Sequence, residues 1–128
     1  MINSNLQKKI EKYKLLQQKL TNKYNEKMKI INKILNAINS KSELKECDDF
    51  ETIVFKKYLE VENVSHVAKY VNDLGYRVKT NTNIGERKYN GTDITEILIS
   101  DVNIDEELKE VVKYLQDKNH KAILRIWG

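Results

Sequence analysis

Proline is absent from this 128-residue chain, and there are only four glycines, one cysteine and one tryptophan. With so few residues that break or bend regular structure, long irregular coil is not expected. The lone Cys47 cannot form an internal disulfide. Nor is it close in sequence to His66 or His120, which are themselves far apart, so no metal-ligand spacing exists. Cys47 is expected as a small, partly buried residue near a helix end. No apolar run approaches the ~18 residues of a membrane span. The N-terminus, MINSNLQKKIEKYK, lacks both an apolar signal core and a small-residue cleavage site, so the expectation is a cytoplasmic protein with no membrane partner. There is no Gly-x-Ser-x-Gly, no phosphate-binding glycine loop, no glycine-flanked carboxylate pair and no Cys/His pair. No catalytic residue, metal or cofactor is therefore expected.

Hydrophobic residues make up 40% of the chain and charged residues 33%, a balance that implies a solvated helix beside a packed domain. The net charge of +4 is unevenly spread. Residues 1–47 hold eleven lysines against four glutamates, whereas residues 48–128 hold twelve Lys/Arg against fifteen Asp/Glu. The positive field belongs mainly to the N-terminal arm.

Within residues 4–46, apolar side chains recur at alternating steps of four and three. Ile10, Tyr24, Ile31 and Ile38 occupy the a positions of a heptad, and Leu6, Tyr13, Leu20 and Ile34 the d positions, with Gln17 and Lys27 as the two breaks. Such a seam predicts a left-handed coiled coil. At roughly 25 cal/mol per Å² of apolar area, pairing these eight side chains supplies on the order of 10 kcal/mol. The expected partner is a second copy of the chain, most simply in a dimer, although Met28 and Leu35 widen the stripe enough for the arm to pack on its own domain. The oligomerisation helix is assigned to residues 1–46, ending near Asn39–Ser42, and a globular domain to 48–128.

In that domain a helix is expected over Phe50–Val61, capped by Asp48 or Asp49. A second opens at Asn63 or Ser65 and turns Val67, Ala68, Val71 and Leu74 inward. Gly75 stands where a left-handed helix stop is usual. Tyr-Arg-Val-Lys-Thr (76–80) alternates as a strand, Asn81–Gly85 forms the turn, and Arg87-Lys88-Tyr89 the return. A short helix over Thr92–Ser100, capped by Asn90 or Thr92, comes next. The pattern Val-x-x-Val-Ala-x-x-Val-Asn-x-x-Gly-Tyr-Arg, followed by a basic loop and a short Thr/Ile/Leu helix, resembles the helix-turn-helix of the DNA-binding recombinase domain of large serine recombinases. The likeness covers residues 53–100 and leaves out that family's catalytic domain, in whose place the coiled coil stands. It implies a DNA-binding module without recombinase chemistry.

Two departures from the family redirect the contact surface. The helix after the loop carries Asp93, Glu96 and no cation, while residues 76–90 hold Arg77, Lys79, Arg87 and Lys88 against Glu86. Phosphate repels carboxylates, so Asp93 is read as a helix-end residue and the hairpin as a wing. The expected DNA contacts are Arg77, Lys79, Arg87, Lys88, Asn90, Thr92 and Thr95, arginine being suited to guanine and Thr or Asn to bases or backbone. Towards the C-terminus, Asn103 and Glu106 have the spacing of a capping box for a helix reaching about Lys118, with Leu108, Val111, Val112 and Leu115 inward. His120 is read as a helix-end residue, Ala122–Trp127 as a strand and Trp127 as a core or interface anchor.

The fold expected is thus mainly α with a small β-hairpin, a coiled-coil helix preceding a winged helix-turn-helix-like domain. The expected function is non-enzymatic, sequence-specific binding of double-stranded DNA, as a transcriptional regulator or as a replication, partition or transfer accessory factor of a phage or plasmid. The alternative is a protein-interaction module, such as a phage-encoded inhibitor, in which the coiled coil and the acidic residues 93–110 dock a protein.

Overall fold

The computed structural model of the chain describes residues 3–81, 83 and 85–117. Among them, five helices and two short strands follow one another: α1 (Ser4–Lys41), α2 (Phe50–Val61), α3 (Val64–Asp73), β1 (Val78–Lys79), β2 (Glu86–Arg87), α4 (Gly91–Ile99) and α5 (Glu106–Gln116). The chain divides into two compact units, Met1–Leu35 and Asn36–Gly128. The protein is mainly helical with a two-stranded antiparallel sheet and a long N-terminal helix, as the residue pattern predicts.

In the first unit the seam side chains Leu6, Tyr13, Leu20, Tyr24 and Ile31 are exposed, and Ile10 and Ile34 are half-buried. Leu6, Ile10, Tyr13 and Gln17 share one face with the aliphatic stems of Lys9 and Lys14. No glycine, proline or long run of β-branched residues interrupts α1, so propensity favours the helix throughout.

The second unit is held by apolar faces at helical spacing. Val54, Phe55, Tyr58 and Leu59 of α2 are buried with Val67, Ala68 and Val71 of α3, Ile94 and Leu98 of α4, and Leu108, Val111, Val112 and Leu115 of α5. Ala37, at the start of this unit, is fully buried, whereas the seam residue Ile38 is exposed. α2 is central and touches α3, α4 and α5.

Asx side chains start all four helices of this core. Asp49 accepts from Thr52 N–H at 2.9 Å, Asn63 from His66 N–H at 3.0 Å, Asn90 from Asp93 N–H at 3.0 Å and Asp105 from Leu108 N–H at 3.0 Å. Each satisfies an otherwise orphaned amide and contributes about 1 kcal/mol. α2 stops at Glu62, whose left-handed backbone (φ 47°) lets its N–H reach Tyr58 O at 2.8 Å. Asn63 then caps α3 at once, so the two helices meet across a very tight turn. α3 ends in a Schellman arrangement: Gly75 N–H donates to Asn72 O at 3.0 Å and Tyr76 N–H to Val71 O at 3.1 Å. Gly75 sits at φ 98°, where a Cβ is strained even in open space. Gly75→Ala is expected to lower stability by about 1 kcal/mol in urea unfolding.

Several expectations are corrected. Leu74 is 52% exposed, because α3 closes at Asp73 and the Gly75 stop turns this position away from the core. Cys47 is exposed, because its loop is anchored by the neighbouring Asp48 instead. The Asn103–Glu106 box does not form. α5 begins at Glu106 and is capped by Asp105, a carboxylate that also accepts from Lys41 Nζ at 3.1 Å. The strands shrink to two residue pairs, Val78 opposite Arg87 and Lys79 opposite Glu86. α5 closes at Gln116 with Asp117 as its C-cap, slightly before the expected Lys118. Lys118, His120, the strand Ala122–Trp127 and Trp127 itself lie outside the described residues.

Candidate functional site

The hairpin and the first turn of α4 form one locked assembly, and much of the lock is polar. Asn72, on the last turn of α3, reads the backbone of Tyr89 in both directions: Nδ2 donates to Tyr89 O at 2.9 Å and Oδ1 accepts from Tyr89 N–H at 2.8 Å. This side-chain amide replaces a missing strand neighbour and ties the exit of the hairpin to α3. Phe50 lies beneath, its ring centroid 4.7 Å from that of Tyr76 and 5.0 Å from that of Tyr89. Gly91 brings α4 against α3, since a Cβ there would stand 3.1 Å from Val64 Cγ2.

Arg87 leaves β2 and folds back on α4. Its Nη1 donates to Asp93 Oδ2 at 2.6 Å and its Nη2 to Asp93 Oδ1 at 2.7 Å, while Nη1 also reaches Lys88 O at 3.1 Å. Asp93 further accepts from Asn90 N–H at 2.9 Å, completing a capping box with the Asn90 side chain. The Arg87 guanidinium, ahead of the Asn90 amide, holds the Asp93 carboxyl below the usual carboxylate value, against the opposing effect of burial. Asp93 is thus the helix-end residue anticipated, and in addition the partner of an arginine assigned to DNA.

The seven expected contact residues separate into three groups. Arg87, Lys88, Asn90 and Thr92 are exposed and follow one another along the junction of β2 and α4. Lys79 is exposed but faces Glu86 across the ladder, on the side of the hairpin opposite Arg87. Arg77 and Thr95 turn inward. Arg77 Nη1 donates to Asn72 O at 3.0 Å and Tyr76 O at 2.7 Å, and Thr95 Oγ1 donates to Gly91 O at 3.0 Å. Both are half-buried, and their hydrogen bonds stabilise the end of α3 and the start of α4.

Beside this edge α4 borders an open cleft of about 360 Å³, lined by Glu51, Asp93 and Glu96 together with Phe50, Val78 and Tyr89. Burial, reinforced by the charges of Asp93 and Glu51, pushes the Tyr89 phenol up and keeps it protonated. Among the described residues no three His, Cys, Asp or Glu side chains come together as a metal site. No helix there is long and apolar enough to cross a membrane.

Asn72 and the Arg87–Asp93 pair were not assigned these roles from sequence. Asn72 carried a signal, as the Asn of the Val-Asn-x-x-Gly stretch just before a helix stop. Arg87 and Asp93 stand six residues apart, and nothing local to the sequence shows that one holds the other. No protein-family model, no curated protein and no solved structure matches the chain.

Proposed function

We propose that the chain is a non-enzymatic, sequence-specific binder of double-stranded DNA. In this reading α2, α3, the hairpin and α4 act as a winged helix-turn-helix, and the N-terminal helix joins copies of the protein through a coiled coil. The observation that carries it is the Arg87–Thr92 edge: an exposed run with two cations and two hydrogen-bonding side chains, held rigid by the capping box and by Asn72. Rigid presentation of donors at the end of a helix suits both phosphate positioning and base contacts. The likeness of residues 53–100 to the recombinase-domain helix-turn-helix supports the same reading. A transcriptional regulator, or an accessory factor for replication, partition or transfer of a phage or plasmid, is the role consistent with it.

Substituting Arg87→Gln and Lys88→Gln together is the test. DNA affinity should fall at least tenfold, and the slope of log affinity against log salt should flatten by up to about two. Lys79→Gln, on the opposite side of the hairpin, should change much less. Unaltered binding after the double substitution contradicts the assigned surface. Arg77 is left intact in this design because its guanidinium is part of the fold.

A second reading, a protein-interaction module, is favoured by the cleft beside α4. The carboxylates of Glu51 and Glu96 beside two aromatic rings suit a basic side chain of a protein and repel phosphate. Tight co-purification of a protein, without any preference for specific DNA, distinguishes this outcome.

A further inference from the structure

An arginine guanidinium carries two forks of parallel N–H groups. One is terminal, formed by Nη1 and Nη2. The other is lateral, formed by Nε and the outer N–H of Nη2. In Arg87 the terminal fork is taken by Asp93, with both oxygens engaged at 2.6 and 2.7 Å. The second N–H of Nη1 goes to Lys88 O. The lateral fork has no partner among the described residues, and the side chain remains 44% exposed while that of Asp93 is only 14% exposed. Asp93 is fixed in turn by Asn90 N–H and by its place in the first turn of α4. One fork is therefore anchored to the helix, and the other is left unengaged on a partly exposed side chain.

We infer that Asp93 is a positioning residue for Arg87, holding the lateral fork as a preformed bidentate donor for the O6 and N7 atoms of a guanine. The inference rests on the DNA-binding reading above. A neutral guanine edge is favoured over a phosphate because the ion pair is already balanced: a phosphate would bring a second anion beside the Asp93 carboxylate, whereas guanine brings only two acceptors. An unrestrained arginine loses rotamer freedom on docking, and the anchored one has lost it already. Arg87 then contributes to selectivity more than to overall attraction, and Lys88 to attraction.

Two variants, titrated against the DNA upstream of the protein's own coding sequence and against random DNA, separate these effects. Arg87→Lys keeps the charge and removes the fork, so the preference for own over random DNA should fall about tenfold while the salt slope stays unchanged. Asp93→Asn keeps the shape, and one acceptor for Asn90 N–H, but loses the anchor. Binding to random DNA should hold or rise as a negative charge disappears, while the preference for own DNA falls. A merely structural role for Asp93 would weaken both DNAs together, and circular dichroism with thermal melting identifies that case. Replacing guanine by 7-deazaguanine in the own DNA, which removes N7, should weaken the wild type and leave Arg87→Lys unaffected. If the wild type prefers its own DNA and both variants retain that preference, or if Arg87→Lys weakens both DNAs equally as a phosphate contact would, the inference is overturned and the DNA reading stands. A wild type with no preference at all removes the DNA reading, and the inference with it.

Discussion

Replacing Lys56 by alanine is expected to lower the unfolding free energy by about 3 kcal/mol, the largest effect of any single polar substitution foreseen in this protein. Lys56 reads as an ordinary surface lysine of an amphipathic helix, yet it is buried. Its Nζ donates to Glu43 O at 2.7 Å and to Asp48 Oδ2 at 2.8 Å, and the side chains of both Lys56 and Asp48 are only 9% exposed. Asp48 Oδ2 also accepts from Lys45 N–H at 2.8 Å, so one ammonium and one carboxylate close the loop between α1 and α2 over the start of α2. Removing the lysine leaves a largely buried carboxylate without its cation and the Glu43 carbonyl without its donor. Urea unfolding of Lys56→Ala measures the loss. Combining Lys56→Met with Asp48→Leu should recover most of it, because apolar pairs commonly replace buried ion pairs without penalty. A Lys56→Ala variant as stable as the wild type would mean the pair carries little of the fold.

The same pair sets an acid dependence. Burial works against ionisation of Asp48, but the Lys56 and Lys45 hydrogen bonds outweigh it and leave the carboxyl below its ordinary value. The folded value therefore lies below that of the unfolded chain, about 3.9 for an unperturbed aspartate. The contribution is complete above that value and is lost as pH falls through the depressed folded value. Asp93 and Asp105 are shifted in the same direction, Asp105 chiefly by its capping bond from Leu108 N–H. The wild type should lose stability below about pH 4, and Lys56→Ala should lose less over that range.

The second large effect concerns α1. Placing lysine at both Leu20 and Ile31 is expected to reduce the mass measured by light scattering to that of a single chain. On the proposed reading of a coiled-coil dimer on DNA, affinity should also weaken by about a hundredfold, because the two half-site contacts that the dimer links become independent. Leu20 is 60% exposed and Ile31 38%, so the substitutions leave the core of the second unit intact. An unchanged far-ultraviolet spectrum per residue is not required, since an unpaired helix of this type frays. A wild-type protein that is strictly monomeric at micromolar concentration would contradict the coiled-coil reading outright.

Where the sequence was legible, the signals were local. Phe50–Val61 was bounded correctly because Asp49 is a strong cap and the apolar spacing changes at Glu62. Gly75 marked the end of α3 because a left-handed residue was needed there. The inward face of α5 follows from periodicity alone. What escaped was set at a distance. Asp105 displaced Asn103 as the cap of α5, and Lys41, 64 residues away in sequence, also binds it. Lys56 is buried by a loop whose path no local pattern encodes. At the candidate site the opposite charges of the hairpin and α4 are visible in the sequence, but not that Arg87 and Asp93 satisfy each other. The charge of Arg77 groups it with the DNA contacts, whereas the carbonyls of Asn72 and Tyr76, on either side of the α3 stop, claim its guanidinium.

DNA recognition is tested most directly by a fluorescence-polarisation titration of the full-length protein with its own upstream DNA and with random DNA, at two salt concentrations. The expected result is a preference of at least a thousandfold for one segment of the own DNA, with affinity for both DNAs falling steeply as salt rises. Equal affinity for the two DNAs, or binding that does not respond to salt, would contradict it.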